Sequence, residues 1–157
     1  MYTIEMAQAE TVIENMAAGI FKQYIAAQEL GLLVCTKPLP SLCDVKVVWK
    51  GVRYAGRYYP VHCTIDRYTV QTVEINAAYF MHKHDNNELR ETIAHELAHY
   101  IQDACYRPFK QWHGVEFRHI MNSIGYSGDT YHKMSVAAAR SVAKKVKSND
   151  DVLVDLS

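Results

Sequence analysis

Apolar residues recur at helical spacing over the N-terminal part of the chain. The segment begins at Thr3, which can cap a helix, and extends to about Leu30. Gly31 is a suitable residue to end it, and Pro38 and Pro40 exclude its continuation. The pattern therefore predicts one long N-terminal helix whose apolar stripe covers a sheet or another helix.

The pattern changes at Asp44, where apolar residues begin to alternate with polar ones. Turn residues then follow at short intervals and no helical segment separates the apolar runs. This arrangement predicts a small, mostly antiparallel sheet of three or four strands. The candidate strands are residues 45–49, 52–59, 61–65 and 68–76.

Helical spacing returns in the second half of the chain. Asp85, with Glu88 three residues later, matches a capping box at the start of a helix that fades before Pro108. A further helix is predicted between Gly114 and Gly125, and another over 134–147. The sequence thus indicates the α+β class, with an N-terminal helix, a small sheet and then C-terminal helices.

Length and composition agree with one folded domain. The chain has 157 residues, of which 49% are hydrophobic, and its 17 basic and 17 acidic residues cancel to a formal charge of zero. This composition is typical of globular proteins rather than of disordered or membrane proteins. We expect a single domain over residues 1–148, and the polar residues 149–157 are predicted to form a flexible acidic tail.

The sequence also favours a cytoplasmic location. It shows no basic start followed by a long apolar run, as a signal peptide would, and no apolar run long enough for a transmembrane helix. None of the cysteines forms a C-x-x-C pair, so reduced, buried thiols are the simplest interpretation. These cysteines are Cys35, Cys43, Cys63 and Cys105.

The motif H-E-x-x-H, from His95 to His99, lies inside the predicted helix over 86–103. Positions i and i+4 of a helix are about 40° apart and one turn along, so both imidazoles can aim at one metal ion. Glu96 follows His95 directly and is rotated about 100° around the helix, so it lies beside the two histidines. A carboxylate there can take a proton from zinc-bound water. The helix face expected to look into this site carries Glu88, Thr92, His95, His99 and Gln102.

A catalytic zinc site needs a third protein ligand and keeps a fourth position for water. His113 follows His99 by 14 residues. A short loop between two helices could return His113 over the first helix, so we predict His95, His99 and His113 as ligands of one zinc ion.

Two motifs carry a resemblance to a known family. H-E-L-A-H-Y from His95 to Tyr100, together with H-G-V-E-F from His113 to Phe117, resembles the SprT-like (Spartan-type) zinc metalloprotease domain. Weaker similarity extends upstream to Trp49 and to the candidate strand that ends at Asn76. The resemblance covers roughly residues 5–126.

The resemblance implies a zinc-dependent peptidase in which His95, His99 and His113 hold the metal and Glu96 is the general base. Better-known members of the family act on proteins that are bound or crosslinked to DNA. Longer members often carry a cysteine zinc ribbon or another DNA-binding module after the protease domain, and this sequence shows neither. Candidate DNA contacts are the basic residues Lys133, Arg140, Lys144, Lys145 and Lys147, although a solvated helix end explains them equally well.

Two other functions stay open at this point. One is a non-proteolytic adaptor, in which zinc stabilises a fold that binds protein or DNA. The other is a metal hydrolase acting on nucleic acid. The donor that would stabilise the oxyanion is also open among Tyr106, Tyr131 and His132.

Overall fold

The computed structural model describes residues 3–60, 68, 70–81, 86–129, 136–147 and 153–155. Along these ranges a long N-terminal helix is followed by the three strands of the main sheet and then by three helices, which confirms the α+β class. A single 3₁₀ turn at Ala77–Tyr79 follows the last strand of the main sheet. The elements are β1 (Thr3–Glu5), α1 (Met6–Glu29), β2 (Asp44–Val48), β3 (Gly56–Tyr59), β4 (Thr72–Asn76), α2 (Asn87–Cys105), α3 (Val115–Ser123), α4 (Val136–Lys147) and β5 (Leu153–Asp155).

The three-stranded sheet has the order β2-β4-β3 and is mixed rather than mostly antiparallel. β2 runs parallel to β4, with Val45 opposite Val73, whereas β3 is antiparallel to β4, with Tyr58 opposite Val73. Every residue of β4 is buried, while β2 and β3 each include exposed positions. β4 therefore takes the central position, and β2 and β3 pair with its two edges instead of forming a hairpin with each other.

The chain between β2 and β3 is held by a side chain rather than by strand pairing. The Asn76 carboxamide accepts a hydrogen bond from the Lys50 amide at 3.0 Å and donates to the carbonyls of Lys50 at 2.8 Å and Tyr54 at 3.1 Å. These bonds satisfy backbone groups that a longer strand would have paired. For this reason β3 begins at Gly56 and not at residue 52. The candidate strand 61–65 lies outside the described residues.

Two short strands that are far apart in sequence, β1 and β5, pair with each other. Thr3–Glu5 is extended rather than helical and pairs antiparallel with Leu153–Asp155, so that Ile4 stands opposite Val154. β-branched residues at both positions favour this pairing over a helical first turn. The division into a domain over 1–148 and a tail over 149–157 stays a prediction, but three residues of that segment are held in a strand.

Helix α2 is the centre of the fold. Its N-cap residue is Asn86 rather than Asp85, which lies outside the described residues. Residues 92–102 are all buried, because α1, α3 and the sheet pack around them. The Tyr24 hydroxyl, completely buried on α1, donates to the Ala94 carbonyl at 2.9 Å and so joins the two helices. No helix of the described ranges is both long and apolar enough to span a membrane.

A buried carboxylate lies in the middle of the sheet. Glu74 accepts hydrogen bonds from Tyr68 at 2.6 Å and Tyr54 at 2.8 Å, and it forms an ion pair with Lys50 at 3.1 Å. Burial alone would raise the pKa of Glu74, but the hydrogen bonds from Tyr68, Tyr54 and Lys50 hold it below its ordinary value. The charged form of Glu74 is therefore part of the folded state.

We expect Glu74→Gln to lower the free energy of unfolding near neutral pH by about 1–3 kcal/mol, since charged hydrogen bonds are lost. The pKa of Glu74 is lower in the folded state, so its contribution is present above the unfolded-state pKa of about 4.3 and is lost as the pH falls further. Urea unfolding at a series of acidic pH values should show the free energies of unfolding of the variant and the parent converging as the pH falls. Glu14→Gln, at an exposed position of α1, is the matched control. A difference in unfolding free energy between Glu74→Gln and the parent that does not change with pH would contradict the role of the charged Glu74.

Candidate metal centre

Two of the predicted site histidines come from consecutive turns of α2. His95 is 9% exposed and His99 is 8% exposed. Their Nε2 atoms are 3.2 Å apart, as expected for i and i+4 side chains on one helix face. The helix therefore directs both ring nitrogens to one point.

The third histidine arrives from the connection between α2 and α3. His113 is exposed at the mouth of the site and precedes Gly114, the N-cap residue of α3. Its Nε2 atom lies 3.0 Å from Nε2 of His99 and 3.2 Å from Nε2 of His95. The structure thus brings together the three residues that the sequence singles out.

The three nitrogens fit a bound metal ion. Imidazole nitrogens at about 2.0–2.1 Å from a tetrahedral ion are about 3.3 Å from one another, close to the spacing observed here. Burial, followed by the nearby charges of His95 and His113, lowers the pKa of His99 to about 3, and burial also lowers the pKa of His113. Neutral imidazoles have the free lone pair that a metal ligand needs. Within the described residues these three form the group able to hold a metal.

The ring of Phe117 packs against all three histidines. Its centroid lies 4.8 Å from that of His95, 4.7 Å from that of His99 and 5.0 Å from that of His113. Phe117 is completely buried on the first turn of α3, four residues after His113. The phenylalanine of the H-G-x-x-F pattern thus limits the orientations that the three imidazole rings can adopt.

Glu96 lies beside the histidines, where the sequence pattern predicts it. It is 7% exposed, and its Oε1 atom is 3.9 Å from Nε2 of His95. Burial raises the pKa of Glu96 to about 8, against the opposing effect of the Arg57 charge. A carboxyl group in this environment holds a proton more readily than an exposed one does.

Gly56 on β3 allows the strand to approach the metal helix. A Cβ atom at this position would lie 2.8 Å from Cγ of Glu96 and 2.9 Å from Cγ2 of Thr92. Any side chain there would displace the carboxylate or separate the strand from α2. Glycine at position 56 is therefore a requirement of the site geometry.

An open cleft of about 470 Å³ gives access to the three histidines and Glu96. β3 and Pro60 form one wall, and Trp112 stands on the other side. The Tyr58 hydroxyl donates to Oδ2 of Asp103 at 2.6 Å, which ties the strand to the end of α2.

Asp103 also fixes the opposite wall. It forms an ion pair with Arg107, whose guanidinium lies 5.4 Å from the centroid of the Trp112 ring. Trp112 in turn contacts the Tyr58 ring at a centroid distance of 6.1 Å. Sequence reasoning missed this role of Asp103, although an acidic and a basic residue four positions apart at the end of a predicted helix, Asp103 and Arg107, were a visible signal.

Of the three oxyanion donors considered from the sequence, Tyr106 is the one within the described residues, and it is not at the cleft. The Tyr106 hydroxyl donates to the Val34 carbonyl, and Tyr106 does not line the cleft. Tyr131 and His132 lie outside the described residues.

Comparison with known proteins supports the same interpretation. The model of the SprT-like family matches residues 28–139, more than half of the chain. The chain belongs to the SprT-like family. The SprT-like match contains β2, β3, β4, α2 and α3, and with them all four predicted site residues. No curated protein and no solved structure matches the chain significantly.

Proposed function

We propose that this SprT-like chain is a zinc-dependent endopeptidase. The observation that carries the proposal is the convergence of three imidazole nitrogens, 3.0–3.2 Å apart, beside a buried carboxylate at the floor of an open cleft. His95, His99 and His113 would hold one zinc ion, and Glu96 would act as general base.

Zinc fits this donor set better than magnesium or calcium does. Three neutral imidazoles suit zinc, whereas magnesium and calcium prefer carboxylate and carbonyl oxygens. When bound, zinc lowers the pKa of a coordinated water from 15.7 to about 7 and polarises a carbonyl group. The open cleft above the three nitrogens leaves room for the water and the substrate.

The protein side of the reaction is proton transfer by Glu96. Its carboxylate would accept the proton of the attacking water, hold it in a site of low polarity, and deliver it to the leaving amine nitrogen. A buried carboxyl beside the metal is suited to both steps. The bound cation would favour the charged form, which accepts the proton, and the low polarity of the site would help the carboxyl to hold that proton until it is donated. Gly56 keeps the backbone of β3 close to this carboxyl.

An extended peptide is the substrate that the cleft fits. β3 pairs with β4 along one edge, and among the described residues no strand pairs with its other edge. Unpaired backbone groups of an edge strand can bind an incoming peptide by strand addition. Such pairing depends on the main chain, so it supports cleavage of protein segments with varied side chains.

Glu96→Gln should retain bound zinc and reduce peptide cleavage by about 10²–10⁴-fold, because the amide keeps the shape but cannot accept the proton. Zinc content by mass spectrometry and digestion of casein, with and without single-stranded DNA, measure the two properties. Glu14→Gln is the control for the same chemical change on the surface of α1. Normal cleavage by Glu96→Gln would refute the mechanism, and a zinc-loaded parent that cleaves no protein would favour the adaptor function.

We further propose that the physiological substrates are proteins bound or crosslinked to DNA. Arg140 and Lys144 on α4 line a second cavity, of about 420 Å³, together with Lys50 and Trp49. Arg140 is held there by a 3.4 Å hydrogen bond from its Nε to the Gly51 carbonyl. Two exposed cations beside an aromatic residue suit a phosphate backbone. Lys133 and the side chains of Lys145 and Lys147 lie outside the described part of the chain.

The double variant Arg140→Glu with Lys144→Glu should weaken binding to single-stranded DNA at least tenfold and reduce the slope of log K against log salt by about 1–2, because two phosphate contacts are lost. Fluorescence anisotropy at several salt concentrations measures both quantities. Lys22→Glu with Arg90→Glu reverses two exposed charges elsewhere and is the matched control. Equal DNA affinity for the two double variants would show that this cavity does not bind DNA.

A further inference from the structure

Gln102 is a fully buried polar residue on the same face of α2 as the metal-site histidines. It lies three residues after His99 and is 0% exposed. Its side-chain nitrogen donates to the Gln111 carbonyl at 2.9 Å. Because Gln111 is two residues before His113, this bond connects the metal helix to the loop that carries the third histidine.

The orientation of the Gln102 carboxamide follows from that contact. Only the amide nitrogen can donate to a carbonyl oxygen, so Oε1 must point the other way. Oε1 of Gln102 is buried, and so is Nδ1 of His99; neither atom has a hydrogen-bond partner among the described residues. Residues three apart on a helix are neighbours on one face, so the buried side chains of His99 and Gln102 lie one turn apart on α2.

Metal binding would make these two atoms complementary. A metal at Nε2 of His99 leaves the proton on Nδ1, which becomes a donor that needs an acceptor. Oε1 of Gln102 is such an acceptor on the next turn of the same helix. An unmade hydrogen bond at two buried atoms is costly, so the pairing favours the metal-bound form of the site.

We propose that Gln102 is a positioning residue that couples two metal ligands: its Oε1 accepts from Nδ1–H of His99, and its nitrogen holds the His113 loop through the Gln111 carbonyl. This inference rests on the proposed metal site and adds a residue to it. Gln102 does not touch substrate and takes no part in proton transfer. Its contribution is to reduce the orientations available to His99 and His113 before metal binding.

Two substitutions separate the halves of this role. Gln102→Leu removes both hydrogen bonds at similar volume, and we expect the zinc dissociation constant to rise about 10–100-fold. Gln102→Glu keeps the acceptor for His99 but loses the donor to Gln111, so its loss of zinc affinity should be clearly smaller than that of Gln102→Leu. Competition with a chromophoric chelator measures the dissociation constant without any reliance on peptidase activity.

A matched control distinguishes positioning from general stability. Tyr24→Phe removes the buried hydrogen bond to the Ala94 carbonyl on the same helix without touching a histidine. It should lower the melting temperature of the zinc-free protein and leave zinc affinity within about twofold of the parent, well below the loss expected when a partner of a metal ligand is removed.

In the zinc-loaded parent, the Nδ1 proton of His99 should appear as a slowly exchanging downfield NMR signal, which should be lost or shifted in Gln102→Leu.

The outcomes are separable from those of the proposed function. The role of Gln102 alone would be overturned if Gln102→Leu bound zinc as tightly as the parent does. It would also be overturned if Gln102→Glu bound zinc no more tightly than Gln102→Leu. If Gln102→Leu does not fold, the zinc affinity of Gln102→Glu decides. That affinity should be lower than the affinities of the parent and of Tyr24→Phe. Failure of the parent to bind zinc at all would instead overturn the proposed function.

Discussion

The fold depends on keeping a polar helix face inside the protein core. Helix α2 is buried along residues 92–102, yet this stretch includes three of the four predicted site residues together with Gln102. A buried polar group destabilises the fold unless it is paired. Neighbouring elements therefore have to supply partners on one side of the helix and apolar contacts on the other.

Each neighbouring element meets part of that requirement. α1 covers the apolar side and bonds to it through Tyr24, while Phe117 on α3 fixes the three imidazole rings. β3 comes close enough to cover Glu96 because residue 56 has no side chain. The same burial accounts for the electrostatics of the site, since removing water favours neutral imidazoles and a protonated carboxyl. A bound cation would reverse the effect on the carboxyl by favouring its charged form.

Local sequence pattern was sufficient for much of this site. The spacing of His95, Glu96 and His99 is a property of one helix, and the short connection to His113 leaves few places where that residue can lie. The sheet was harder to predict because strand order depends on contacts between distant segments. The polar residues Glu74 and Asn76 make β4 look like a half-exposed strand in the sequence. β4 can be the buried central strand because Tyr68, Tyr54 and Lys50 donate hydrogen bonds to those two side chains. The strand pair at the chain ends likewise depends on residues that are far apart in sequence.

The central claim is that three histidines of this chain bind one zinc ion. X-ray absorption at the zinc edge, on protein purified without added chelator, tests it most directly. We predict about one zinc per chain, with three imidazole nitrogens and one oxygen at about 2.0–2.1 Å. A sulfur ligand at about 2.3 Å, fewer than three imidazoles, or the absence of stoichiometric zinc after reconstitution would contradict the claim.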